Sequence, residues 1–165
     1  MEILGKNHDI LITEAQKCFK LLATEANINN GNRHCGILTI RIPDDGYNRI
    51  VKPIGSVDGC TEEELNRWSI NSQEKAERLE KNLEIGHISS EQSRDLDNKK
   101  YRGSIIAGRI IFAFSSSLAE YDDEAFCLML AYRLILIEWV QLEKIIKISN
   151  NPRLEFIRKN VVFRG

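Results

Sequence analysis

Residues 101–127 read YRGSIIAGRIIFAFSSSLAEYDDEAFC. Two short apolar runs, 104–106 and 109–114, flank an Ala107-Gly108 step. This is the pattern of a β-hairpin, because glycine gives a tight turn the backbone freedom it needs. Ser115, Ser116 and Ser117 then lead into an acidic group, Glu120, Asp122, Asp123 and Glu124, followed by an almost wholly apolar run. The order hairpin, polar loop, apolar helix sets an antiparallel strand pair against a helix, which makes the chain α+β.

Upstream, residues 34–42 alternate, with Leu38, Ile40 and Ile42 on one face and Thr39 and Arg41 on the other, as a half-buried strand does. Pro43-Asp44-Asp45-Gly46 is a turn, and residues 49–54 return as a second strand that Pro53 marks as an edge. Residues 10–28 carry Ala15, Cys18, Phe19, Leu22 and Ala26 at helical spacing, with Thr13 and Glu14 at the expected start and Asn27, Asn29, Asn30 and Gly31 at the expected end. Thr61 and Glu64 have capping-box spacing and open a helix to about Leu83, whose stripe is Leu65, Trp68, Ser72, Ala76, Leu79 and Leu83. Gly86 stops it, and residues 87–100 are polar, either a loop or one short helix capped by Ser89 or Ser90.

Downstream, residues 121–148 read as one long helix broken by Asn150-Asn151-Pro152, and residues 154–163 alternate weakly enough to suggest a last strand. The expected order is α-β-β-α-(loop)-β-β-α, a single domain over residues 1–165 with an antiparallel sheet of four to five strands flanked by helices.

A formal net charge of -1 supplies no basic field, so neither nucleic acid nor an anionic membrane surface is an expected partner. The apolar run 125–142 approaches the roughly 20 residues of a membrane span. Arg133, Glu138 and Gln141 interrupt it, and an arginine near mid-span costs about 3 kcal/mol, so a core helix is the expectation. Cys18, Cys35, Cys60 and Cys127 form no C-x-x-C pair and fall in different elements, as four reduced thiols would. With no apolar signal segment near Met1, the expected location is cytoplasmic.

Few residues offer chemistry. Ser115, Ser116 and Ser117 before a helix could hold a small anion or a propionate, although Asp122, Asp123 and Glu124 would repel one and equally suit a helix cap and first turn. Of the three histidines, His8 lies near the N-terminus, and His34 faces away from Cys35 across a strand. His87, in the polar loop beside Ser89, is the best single candidate for a haem or metal ligand. No G-x-S-x-G elbow or zinc-type spacing is present, and Cys127 in an apolar helix would be inert, so no catalytic residue is assigned. Arg133 and Glu138 are five apart and need partners elsewhere. Trp68, Trp139 and Tyr132 read as core. A helix apolar all round, at 121–148, points to a homo-oligomer formed through it.

Several of these residues also carry a family resemblance. Glu74-Lys75-Ala76, Ser89-Ser90, the block 102–116 and Asp122-Asp123-Glu124-Ala125-Phe126-Cys127 resemble the haem-binding and glycolate-utilisation (GlcG-like) family. The resemblance spans about residues 10–142 and is strongest over 103–127. It implies a profilin-like sheet and a non-catalytic domain that binds a small ligand, with haem or a related tetrapyrrole the leading one. Together with the residues above, it makes His87, Ser89, Ser90, Tyr101, Arg102, Gly103, Ser104, Ser115 and Ser116 the candidate ligand-binding set. The alternative is a homo-oligomeric structural or regulatory module with no small-molecule ligand, and a third reading is a haem-degrading or redox enzyme.

Overall fold

A computed structural model describes residues 5, 7–26 and 35–162. Its elements are α1 (His8–Glu25), β1 (Cys35–Arg41), β2 (Asn48–Gly55), α2 (Glu62–Asn82), β3 (Ser104–Ala107), β4 (Ile110–Ser116), α3 (Glu120–Arg133), α4 (Trp139–Ser149) and a short α5 (Leu154–Ile157). Among the described residues the strands form one antiparallel sheet in the order β2-β1-β4-β3. The fold is therefore α+β, with four strands.

Alternation on the two central strands decides what packs where. Leu38 and Ile40 of β1 and Phe112 and Phe114 of β4 point into the main core, shared with Leu11, Cys18 and Phe19 of α1 and Phe126 and Leu130 of α3. On the opposite face, Ile111 and Ala113 meet Ala76 and Leu79 of α2, and Cys35 and Ile37 meet Trp68. The sheet is thus sandwiched between α1 with α3 on one side and α2 on the other. This corrects the half-buried reading of β1. All seven of its residues are buried, because α2 covers the face that carries Thr39 and Arg41. Thr39 Oγ1 lies 2.7 Å from Ser72 Oγ, and Arg41 pairs with Glu80.

Local signals land where expected at α2, which Thr61 and Glu64 open with a reciprocal capping box, and at Gly86, whose φ of +87° ends the 3-10 turn Leu83–Ile85 that extends it. Asp44 and Gly46 take the positive φ of the first turn, and β2, with exposed Pro53, is an edge strand. Helix α1 starts at His8, ahead of Thr13 and Glu14. Its expected stop at 27–31, and His34, lie outside the described residues.

Other expectations fail for tertiary reasons. The single helix over 121–148 is two helices, broken around Ile135, whose φ is +60°. A continuous helix of that length would run about 42 Å and overshoot the sheet. Folding back lets α4 bury Leu142, Ile145 and Ile146. Residues 154–162 form no strand. Ile157 and Val161 are buried four apart, on α5 and the turn of helix Arg158–Val162 that follows. The expectation of four reduced thiols fails as well. The fold sets the start of β1 against the segment leading into α2, and Cys35 and Cys60 are joined by a disulfide. Cys18 and Cys127 are free and buried. Among the described residues, no helix is long and apolar enough to cross a membrane.

Candidate functional site

A seam of buried polar groups runs where α2, the β3–β4 hairpin and the start of α3 meet. Lys75 of α2 is nearly inaccessible to solvent, and so is Asp123 of α3. Lys75 Nζ donates to the Phe114 carbonyl at 2.7 Å and to Asp123 Oδ2 at 3.3 Å. Ser116 donates to Asp123 Oδ1 at 2.6 Å. Burial pushes the Asp123 carboxyl up to about 7, outweighing the Lys75 ammonium and the Ser116 hydroxyl that pull it down. Gly103 makes this packing possible. Its φ is +128°, and a β-carbon there would come within 2.7 Å of Lys75 Nζ and 2.8 Å of the Phe114 carbonyl oxygen.

The neighbouring acids are equally committed. Glu124 accepts from Ser89 Oγ at 2.6 Å, from Ser149 Oγ and from Asn151 Nδ2 at 3.0 Å. Asp122 accepts from Arg153 Nε at 2.6 Å. The acidic run is therefore a set of tertiary ties rather than a solvated first turn. The N-cap of α3 is Ala119, which has no capping side chain. Arg78 holds the polar segment after α2 in place by donating to the carbonyls of Ser90, Ser93 and Tyr101. That segment forms two 3-10 turns, Ser90–Ser93 and Leu96–Asn98, the first capped by Ser89.

A cavity of about 240 Å³ opens beside this seam, against α2, the end of β4 and the start of α3. Trp68, Asn71, Lys75, Tyr101, Ser115 and Asp123 are among its walls. Ser115 is 2% exposed, and its hydroxyl has no hydrogen-bond partner. The nine expected ligand-binding residues thus separate. Tyr101, Ser115 and Ser116 line the cavity. Ser89 binds Glu124, Ser90 Oγ accepts from the Ser104 amide at 3.0 Å, and Ser104 Oγ donates to the Lys75 carbonyl at 2.9 Å. Gly103 gives Lys75 its space. Arg102 donates to the Ser149 carbonyl at 3.0 Å. His87 stands apart after α2, with Nδ1 buried and unpartnered, and lines neither this cavity nor the wider grooves along α1 and beside the β3–β4 turn.

Wider grooves lie elsewhere. One of about 680 Å³ runs between α1 and residues 155–160, and one of about 980 Å³ lies beside the β3–β4 turn and the α3–α4 corner. No group of three or more His, Cys, Asp or Glu able to hold a metal ion occurs among the described residues. The free thiols are shielded, since burial pushes Cys18 up to about 12 and Cys127 well above its ordinary range. Arg133 and Glu138, left without partners by their spacing, find separate ones. Arg133 pairs with Glu14 of α1, and Glu138 caps α4 with Gln141.

Comparison with protein-family models, with curated proteins and with solved structures finds no match. Sequence reasoning missed Arg67, Asn71 and Lys75 as parts of one site. Their spacing of four sets them on one face of α2, beside the apolar stripe, and that polar stripe was the available signal.

Proposed function

We propose that the chain is a non-catalytic domain that binds a small ligand in the cavity bounded by Lys75, Ser115 and Asp123. Ser115 carries this reading. A buried hydroxyl without a partner costs about 1–3 kcal/mol, and folded proteins retain few of them. A ligand atom would supply the missing partner. Lys75, Ser116 and Asp123 are tied to one another, which fixes this side of the cavity before a ligand arrives. The segments that resemble GlcG-like proteins, around Lys75, Ser115 and Asp123, are the ones that build these walls.

A volume of about 240 Å³ falls below the roughly 300–1,000 Å³ of sites for drug-sized ligands, so the ligand is small. Haem, which the resemblance implies, would need a wider groove, and neither the one of about 680 Å³ nor the one of about 980 Å³ is lined by a histidine. Thermal-shift measurements against a library of small polar metabolites, on wild type and Ser115→Ala, test the reading. A ligand that stabilises wild type and not the variant supports it. A library with no such ligand overturns it.

A second reading, self-association, draws on one observation. Ile10 and Ile135 are 55% and 79% exposed and line the same groove of about 980 Å³. Helix α3 itself needs no partner copy, because residues 122–131 are covered within the chain. Sedimentation of wild type against Ile135→Lys distinguishes a dimer through this groove from a monomer. A cytoplasmic location fits poorly with the Cys35–Cys60 bridge, since cytosolic thiols are kept reduced. Alkylation of thiols in intact cells before lysis decides between the two.

A further inference from the structure

Resting on the cavity as the binding site, we infer that its ligand is a small oxyanion, a carboxylate or a phosphate group. Both carboxylates on the cavity wall already hold partners. Asp123 takes Ser116 and Lys75 on its two oxygens, and Glu120 takes Arg94 at 2.7 Å and the Arg102 amide at 3.4 Å. Each carboxylate has its own cation. What remains without a full set of hydrogen bonds are the donors of two cations, Lys75 and Arg67, and three groups able to donate, Ser115, Asn71 and Tyr101. Lys75 has two acceptors for three N–H groups, and Ser115 has none. The Asn71 amide and Tyr101 hydroxyl also make no side-chain hydrogen bond among the described residues, and Arg67 has only the Trp68 ring, 5.9 Å from its guanidinium carbon. Lys75 faces Asp123 and Glu120 faces Arg94, which leaves Arg67 as the rim cation without a carboxylate partner among the described residues.

Acceptor-only oxygens can take a hydrogen bond from each of these groups, whereas an ammonium would meet like charge at Lys75 and Arg67. The cavity holds the volume of about eight waters, enough for phosphate or a carboxylate of a few carbons. Loss of one charge-assisted donor should weaken binding about tenfold or more.

Amide chemical shifts of the full chain, titrated at constant ionic strength with acetate and with inorganic phosphate, test this. Glycerol and methylammonium serve as neutral and cationic comparators. The expected result is saturable shifts at Asn71, Ser115 and Ser116 with an oxyanion alone, weakened about tenfold or more in Ser115→Ala and in Arg67→Ala. Both variants should fold, since one removes an unpartnered hydroxyl and the other an exposed side chain. Saturation by acetate alone names a carboxylate, and by phosphate alone a phosphoryl group. Saturation of the same amides by glycerol or methylammonium overturns the oxyanion class and keeps the cavity as a site. Shifts that fail to saturate, or that persist unchanged in both variants, overturn the oxyanion inference. The metabolite library then judges the cavity separately.

Discussion

Lys75 of α2 and Asp123 of α3 meet across the sheet edge with Nζ and Oδ2 3.3 Å apart, both buried and 48 residues apart in sequence. Neither has solvent to fall back on, so each is the condition for burying the other.

Removing one partner should therefore cost far more than removing both. Lys75→Met or Asp123→Leu alone is expected to lose about 3–5 kcal/mol, because it strands a buried polar partner. The double variant is expected to recover most of that loss. Urea denaturation of the four proteins measures the cycle, and additive losses would contradict the pairing.

Gly103→Ala attacks the same pair from a third side. The φ of +128° disfavours any side chain, and the added carbon meets Lys75 Nζ and the Phe114 carbonyl. Strain and overpacking together predict a loss of about 2–5 kcal/mol by urea denaturation, where an exposed glycine in a loop would lose far less.

The pH dependence has a definite sign. The Asp123 carboxyl titrates near 3.8 when exposed and at about 7 in the fold. Between those values the folded state binds the extra proton, so the Asp123 contribution is full below about pH 4 and lost as pH rises through 7. Asp123→Asn should flatten that part of the stability profile. Melting temperatures taken from pH 4 to 8 on both proteins check it, and parallel profiles would contradict it.

The Cys35–Cys60 bridge closes a loop of 25 residues. Reduction, or Cys35→Ser with Cys60→Ser, should cost about 3 kcal/mol. Thiol titration of the unreduced, unfolded chain should count two free groups, Cys18 and Cys127.

How much of this was legible depends on sequence distance. The Thr61–Glu64 box, the Gly86 stop and the Asp-Gly turn act within a few residues, so composition and spacing reveal them. Ser115 and Ser116 were legible as a polar step before a helix, but not as a cavity wall. The cavity needs Lys75 from 40 residues upstream and a hairpin turned so that Ser115 faces α2. Ser89, Ser90 and Ser104 looked alike in sequence and are used up by the fold, since their partners, Glu124 and the backbone of Ser104 and Lys75, lie on other elements. The break at Ile135 has no glycine or proline to announce it. It is imposed by the surface that α4 must bury.

The most direct test of a ligand site at Ser115 is the stability of Ser115→Ala without any ligand, measured by urea denaturation. A hydroxyl kept for a ligand contributes nothing to the empty fold, so the variant should equal wild type or exceed it by up to about 2 kcal/mol. A loss of about 1 kcal/mol or more would mean that the hydroxyl serves the fold itself, and would contradict the assignment.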